Sequence, residues 1–130
     1  MKIALLEQSF SICKLPHESG IDFSRPFCFV GKTDEELSLV CETAYAPAHA
    51  IAREDGWRCF RIQGVLDFSM VGVLAGVSSL LAKNGISIFA VSTYLTDYLF
   101  TKEENFRRAV ALLAQEGYSV DEAFASTSSK

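Results

Sequence analysis

The sequence predicts an α+β protein in which two helices pack on one face of a sheet. From Trp57 onward, strand-like runs and two amphipathic helical patterns alternate in the order β-α-β-β-α-β. This order is typical of a split βαβ unit. With 130 residues, 49% of them hydrophobic, the chain can bury either one compact core or two very small units that share one.

The first half predicts short strands joined by turns. Strand-like runs lie at 3–6, 10–15, 27–30 and 37–42, and residues 16–26 form a loop. Thr33 is placed to cap a short helical turn with Glu36 at the third position, the pattern of a capping box. Residues 45–55 predict a short connecting helix or an irregular linker that Gly56 ends.

The second half carries the stronger periodicity. A strand at 57–63 ends at Gly64, and Asp67 and Ser69 precede a helix whose apolar positions are Val71, Leu74, Val77 and Leu81. Asn84 and Gly85 end this helix. Residues 86–93 are apolar at almost every position, which predicts a central strand. The sequence then predicts a turn at 95–97, a strand at 98–101, a helix at 102–116 and a strand at 118–124. The inward positions of that second helix are Phe106, Ala109, Val110 and Leu113.

Composition excludes several classes of function. The net charge is −4 and the basic residues are scattered, which argues against a nucleic-acid partner. The most apolar run, 71–82, is shorter than the ~20 residues of a membrane span. The N-terminal apolar run is too short for a signal peptide, so we expect a cytoplasmic protein with no membrane contact.

Cysteine and histidine spacing favours neither a metal site nor a disulfide framework. The four cysteines form no C-x-x-C pair, and His17 and His49 are the only histidines. No nucleophile with an adjacent base and no glycine-rich phosphate loop is visible. We therefore expect no enzyme activity, no cofactor and no metal.

Two stretches resemble a known family. They are similar to the ACT domain of short two-ACT proteins related to the regulatory part of aspartate kinase. The stretches are VLDFSMVGVLAGVSSLLAKNGISIFAVSTYLTDYLF, residues 65–100, and TDEELSLVC, residues 33–41. The resemblance implies two ferredoxin-like βαββαβ units packed side by side. Residues 1–56 would be a degenerate copy with shorter helices, 57–126 the C-terminal unit and 127–130 a frayed tail.

The resemblance also implies a regulatory sensor that binds a free amino acid where its two units meet. Amides at the start of the first helix would hold the carboxylate, and Asp97 would hold the ammonium or a basic side chain, which slightly favours a basic amino acid. The strand at Ser38 would supply the opposing edge. The predicted ligand-binding residues are Ser38, Leu39, Val40, Asp67, Ser69, Met70, Val71, Gly72, Thr93, Tyr94 and Asp97.

Simpler interpretations of the same residues remain open. Asp67 and Ser69 are also ordinary helix-capping residues, Gly72 also suits a helix packed closely on a sheet, and Asp97 also suits a turn that it stabilises by itself. The alternative function is a ligand-free interaction module that uses exposed sheet edges. Either function is compatible with a homodimer or with a separate partner enzyme.

Overall fold

The computed structural model describes residues 2–63 and 72–121. Four of the predicted site residues, Asp67, Ser69, Met70 and Val71, lie outside these ranges. The strands are β1 (Lys2–Leu15), β2 (Cys28–Lys32), β3 (Leu37–Glu42), β4 (Ala52–Gln63), β5 (Ile88–Ser92), β6 (Asp97–Lys102) and β7 (Ser119–Asp121). The helices are α1 (Val73–Lys83) and α2 (Glu103–Gln115), and a single 3-10 turn covers Thr43–Tyr45.

The chain divides into two compact units. Unit 1 consists of residues 1–7 and 58–130, and unit 2 consists of residues 8–57. The long strands β1 and β4 contribute residues to both units. The N-terminal seven residues therefore belong with the C-terminal part of the chain, an association that no local sequence pattern signals.

Unit 1 has the predicted α+β, ferredoxin-like character. From the second half of β4 the elements follow in the order β4-α1-β5-β6-α2-β7, which confirms the predicted order. Neighbouring strands in this unit are β7, β1, β4, β6 and β5. The start of β1 runs parallel to β7, with Ile3 opposite Val120, whereas β5 and β6 form an antiparallel hairpin.

The core of unit 1 lies between its helices and the strands that they cover. The four predicted inward positions of α2 are all buried: Phe106, Ala109, Val110 and Leu113. Val77 and Leu81 are the buried residues of α1. They pack with Ile3, Leu5, Phe60, Ile62, Ile86 and Leu99. Apolar side chains at helical spacing thus produce the buried face that the sequence predicts.

Glycine marks both ends of α1. Gly72 precedes the helix with φ of 89°, and Gly85 follows it with φ of 75°, a region that L side chains rarely adopt. The amide of Gly85 donates to the Ala82 carbonyl, and the amide of Ile86 donates to the Leu81 carbonyl. This paired bonding closes the C-terminus and confirms the predicted stop at Asn84 and Gly85.

Unit 2 has the strand order β2-β3-β1-β4 and no α-helix in its residues 8–57. The β1–β3 and β2–β3 pairs are antiparallel. Cys13, Leu15, Leu39 and Cys41 form its small core, with Ala46 and Ala50 packed against them. The 3-10 turn follows β3 at the position that α2 occupies after β6 in unit 1.

The structure corrects three predicted strands. Residues 3–6 and 10–15 belong to one continuous strand, because the polar residues between them keep their extended conformation within β1. β4 begins at Ala52 and continues through Gly56, so residues 52–55 are not linker and Gly56 does not end it. β5 lies at the edge of its sheet rather than at the centre, since its described neighbour is β6 alone. Its residues are accordingly half-buried or exposed.

Neither of the two described helices is long enough and apolar enough to cross a membrane.

Candidate functional site

The predicted residues Thr93, Tyr94 and Asp97 share one hairpin turn between β5 and β6. The amide of Thr93 donates to the carbonyl oxygen of Thr96 at 2.9 Å, and the hydroxyl of Thr93 reaches the same oxygen at 2.8 Å. The hydroxyl of Thr96 donates to the carbonyl oxygen of Ile62 in β4. These bonds fix the conformation of the turn and attach it to the neighbouring strand.

Asp97 is held by its own hairpin through one oxygen. The hydroxyl of Ser92 donates to Oδ1 of Asp97 at 2.6 Å. Among the described residues, Oδ2 of this half-buried carboxylate has no protein partner. Tyr94, at the tip of the turn, is 90% exposed. The turn therefore presents one carboxylate oxygen without a partner among the described residues and, at its tip, an exposed aromatic ring.

Gly72 lies on a different element, immediately before α1. Among the described residues, none has an atom within 4 Å of a Cβ built on Gly72. The amides of the first turn of a helix lack partners within the helix, and they are suited to an anion. No hydrogen bond joins Gly72 to the Thr93–Asp97 turn in the described part of the chain.

The remaining predicted residues, Ser38, Leu39 and Val40, lie in β3 of unit 2. Leu39 is 1% exposed and Val40 is 8% exposed. Ser38 is half-buried, and its hydroxyl donates to Oε1 of Glu36 at 3.0 Å. Of these three residues, Ser38 therefore presents the most accessible side chain and the only polar one.

An open cleft of about 380 Å³ begins at Ser38 and lies wholly within unit 2. Strand pairing builds it, because Lys14 of β1 is directly opposite Ser38 of β3, and β4 lies on the other side of β1. Its lining combines two cations, two carboxylates and a small apolar surface: Ile12, Cys13, Lys14, Glu36, Ser38, Ala52, Arg53 and Glu54.

Protein partners already orient one cation and one carboxylate of the cleft. Arg53 donates from Nε to Asp55 at 2.7 Å, and it also donates to the carbonyl oxygen of Thr43. The indole of Trp57 donates to Oε1 of Glu54 at 3.1 Å. The bond from Arg53, followed by one from Ser11, holds the pKa of the Asp55 carboxyl below its ordinary value.

Lys14 and Glu36 differ from this oriented pair. Both side chains are exposed and line the cleft, yet no ion pair joins them to each other or to any other described residue. Glu36 accepts only the hydroxyl of Ser38 through its carboxylate. The cleft thus offers a positive and a negative group that do not neutralise each other.

Residues 52–115 match the ACT domain family. The match begins at the first residue of β4 and ends at the last residue of α2.

The chain contains an ACT domain.

Solved structures include a relative that matches most of this ACT protein. A protein from Agrobacterium tumefaciens is 33% identical, with a TM-score of 0.82, over 92% of this chain and 90% of that one. A Vibrio cholerae protein of unknown function, titled a possible transport protein, is 21% identical with a TM-score of 0.70 over 88% of both chains. No curated protein sequence matches the chain significantly.

The fold also recurs in a regulatory protein. The regulatory subunit of aspartate kinase from Thermus thermophilus, in its ligand-free form, is 14% identical to the ACT protein. Its TM-score is 0.63, with 88% of this chain and 96% of that chain covered. At this identity the likeness shows that the two proteins share a fold.

The thiols of the ACT protein are poorly placed for nucleophilic chemistry. Burial raises the pKa of Cys41 to about 12 and raises the pKa values of Cys13, Cys28 and Cys59. A thiol that stays protonated is a weak nucleophile. No group of three metal-binding side chains occurs within residues 2–63 and 72–121.

Sequence reasoning missed the cleft because its charged residues are distant in the chain. Lys14, Glu36 and Arg53 come together only through the register of β1 with β3 and the position of β4. One local signal was present. Lys14 shares a strand face with Phe10 and Ile12, and a cation on an otherwise apolar face commonly marks the border of a core or a site.

Proposed function

We propose that this ACT protein is a regulatory sensor that binds a free amino acid and transmits binding to a partner or to its own assembly state. The ACT domain over residues 52–115 is the observation that carries the proposal. The aspartate kinase regulatory subunit among the structural neighbours supports it. For binding to regulate, the ligand must favour one conformational or assembly state over another.

The Thr93–Asp97 turn supplies suitable chemistry for one end of the ligand. Its carboxylate is oriented by Ser92, and Oδ2 is available for an ammonium or a cationic side chain. The backbone at Gly72 is suited to a carboxylate. The eleven residues predicted from the sequence are proposed to contribute to binding, and a basic amino acid is the slightly preferred ligand.

A ligand-free interaction module is the second candidate, and one observation favours it. Tyr94 and Leu95 are 90% and 76% exposed at the tip of the β5–β6 hairpin. Large exposed apolar side chains often mark protein contacts. The partner would then be a second copy of the chain or another protein, bound without any amino acid.

Thermal unfolding with each of the twenty amino acids, together with the variant Asp97→Ala, separates the two candidates. The sensor is supported if one amino acid raises the Tm of the wild type and Asp97→Ala shows a smaller increase while remaining folded. The interaction module is supported if no amino acid changes the Tm and Tyr94→Ser changes the oligomer size. Asp121→Ala, an exchange on β7 rather than at the β5–β6 turn, is the matched control for loss of a carboxylate.

A further inference from the structure

We infer that the cleft of unit 2 is a second amino-acid site, in addition to the Thr93–Asp97 turn of unit 1, and that Lys14 binds the α-carboxylate there and Glu36 the α-ammonium. This inference rests on the proposed function for the class of ligand and adds where and how that ligand binds. Neither Lys14 nor Glu36 belongs to the residues predicted from the sequence. The site would lie on the unit that has no α-helix among its residues 8–57.

The first observation is that no described protein group neutralises the charges of Lys14 and Glu36. Lys14 and Glu36 line one cleft but form no ion pair with each other or with another described residue. An α-amino acid carries one negative and one positive group on the same carbon atom. A ligand of this kind would pair with both side chains at once, and each contact would be a charge-assisted hydrogen bond.

Orientation of the neighbouring groups is the second argument. Arg53 is held by Asp55 and by the Thr43 carbonyl, which positions its positive charge on the same cleft. Ser38 lies directly opposite Lys14 and holds Oε1 of Glu36 through its hydroxyl. Prior orientation reduces the conformational entropy that binding must otherwise cost.

Size and apolar surface are the third argument. The cleft volume of about 380 Å³ lies near the lower end of the range for small-molecule sites, about 300–1,000 Å³. Ile12 and Ala52 contribute apolar surface beside the charged groups. This surface suits the methylene groups of an amino-acid side chain, so a single free amino acid fits better than a larger cofactor.

The test measures binding by isothermal titration of the full chain with the amino acid that binds most tightly. Lys14→Met and Glu36→Gln remove one charge each and keep the approximate shape of the side chain. Each should weaken binding at the cleft by about tenfold or more, since a hydrogen bond to a charged group is lost. Lys32→Met and Glu35→Gln lie on the β2–β3 hairpin that carries Glu36, but outside the cleft. Their affinities should stay within about twofold of the wild-type value.

The orientation of the ligand is tested with blocked ligands. The methyl ester of the amino acid lacks the carboxylate charge, and the N-acetyl derivative lacks the ammonium. Esterification should weaken binding to the wild type. It should weaken binding to Lys14→Met much less, because the two changes remove the same contact. N-acetylation and Glu36→Gln should likewise be non-additive. If the losses of binding free energy are fully additive in both pairs, Lys14 does not bind the carboxylate and Glu36 does not bind the ammonium.

Two failures can be told apart. If the wild type binds an amino acid, and Lys14→Met and Glu36→Gln bind it equally well, the cleft is not an amino-acid site although the proposed function stands. If the wild type binds none of the twenty amino acids, the proposed function fails, and the cleft assignment fails with it. Thermal unfolding of each variant shows that it is folded, which is expected because both side chains are exposed.

Discussion

Thr33 and Thr93 occupy the same position in two hairpins that are 60 residues apart. Each donates its amide to the carbonyl oxygen three residues later, at 2.9 Å in both turns. In each case the threonine hydroxyl also accepts the amide of that third residue, at 3.2 Å in one turn and 3.3 Å in the other. The same sequence position therefore produces the same turn in both halves of the chain.

The likeness extends beyond the turns. β2 and β5 have five residues each and β3 and β6 have six, and the registers agree, with Lys32 opposite Leu37 and Ser92 opposite Asp97. The halves diverge after the hairpins, where unit 1 forms α2 and unit 2 forms a 3-10 turn. The repeated hairpin supports the proposal that the first half is a degenerate copy of the second.

Thr93→Ala should lower the free energy of unfolding by about 1 kcal/mol, because the turn loses its side-chain hydrogen bonds. Thr33→Ala should have a similar effect if the two turns are equivalent. Urea unfolding measures both. Thr93→Ser retains the hydroxyl and is the control. The equivalence is contradicted if one alanine variant is as stable as the wild type and the other is not.

Asp55 should titrate below the ordinary carboxyl range, about 3.9, because Arg53 and then Ser11 stabilise its charged form. A folded-state pKa below the unfolded-state value stabilises the fold at neutral pH. This contribution is lost as the pH falls from about 4 through the lower folded-state pKa. Carbon-detected NMR titration measures the pKa. In urea unfolding, the stability difference between wild type and Asp55→Asn should shrink below about pH 4, and a constant difference would contradict the prediction.

Cys13, Cys41 and Cys59 should resist thiol reagents while the protein is folded. All three are buried, and the pKa of Cys41 is about 12, so almost none of its thiolate exists at pH 8. Cys28 is half-buried and should react first. Mass spectrometry after timed labelling counts the modified thiols, with guanidinium-unfolded protein as the control for complete reaction. Rapid labelling of Cys41 in folded protein would be inconsistent with its position in the core of unit 2.

Phe106→Ala should lower the free energy of unfolding by about 3–5 kcal/mol. Phe106 is 1% exposed in the core of unit 1, and the guanidinium carbon of Arg58 lies 4.4 Å from its ring centroid. Leu95→Ala, at a side chain that is 76% exposed, should change the stability by no more than about 0.5 kcal/mol. Equal losses in the two variants would be incompatible with the described core.

The sequence was most informative where the periodicity of apolar residues is local. The inward face of α2, the end of α1 at Gly85 and the strand at 37–42 all follow from spacing and turn residues within a few positions. The start of β4 did not, because Ala52 to Gly56 contain three charged residues and a glycine. Those residues form a strand because they pair with β1. This pairing depends on the tertiary fold, so local strand propensity does not reveal it.

The candidate site divides in the same way. The turn that holds Thr93 and Asp97 was predictable because it directly follows an apolar strand. Lys14, Glu36 and Arg53 were not, because they meet through strand register across nearly 40 residues of chain. The loop that contains Asp67 and Ser69 lies outside the described residues, so its role in binding remains a prediction.

Isothermal titration of the full chain against each of the twenty free amino acids tests directly whether the protein is an amino-acid sensor. We expect a saturable heat with at least one amino acid, with a basic one slightly preferred, and a smaller heat in Lys14→Met but not in Lys32→Met. The absence of heat with every amino acid at millimolar concentration would contradict the claim that this ACT protein is an amino-acid sensor.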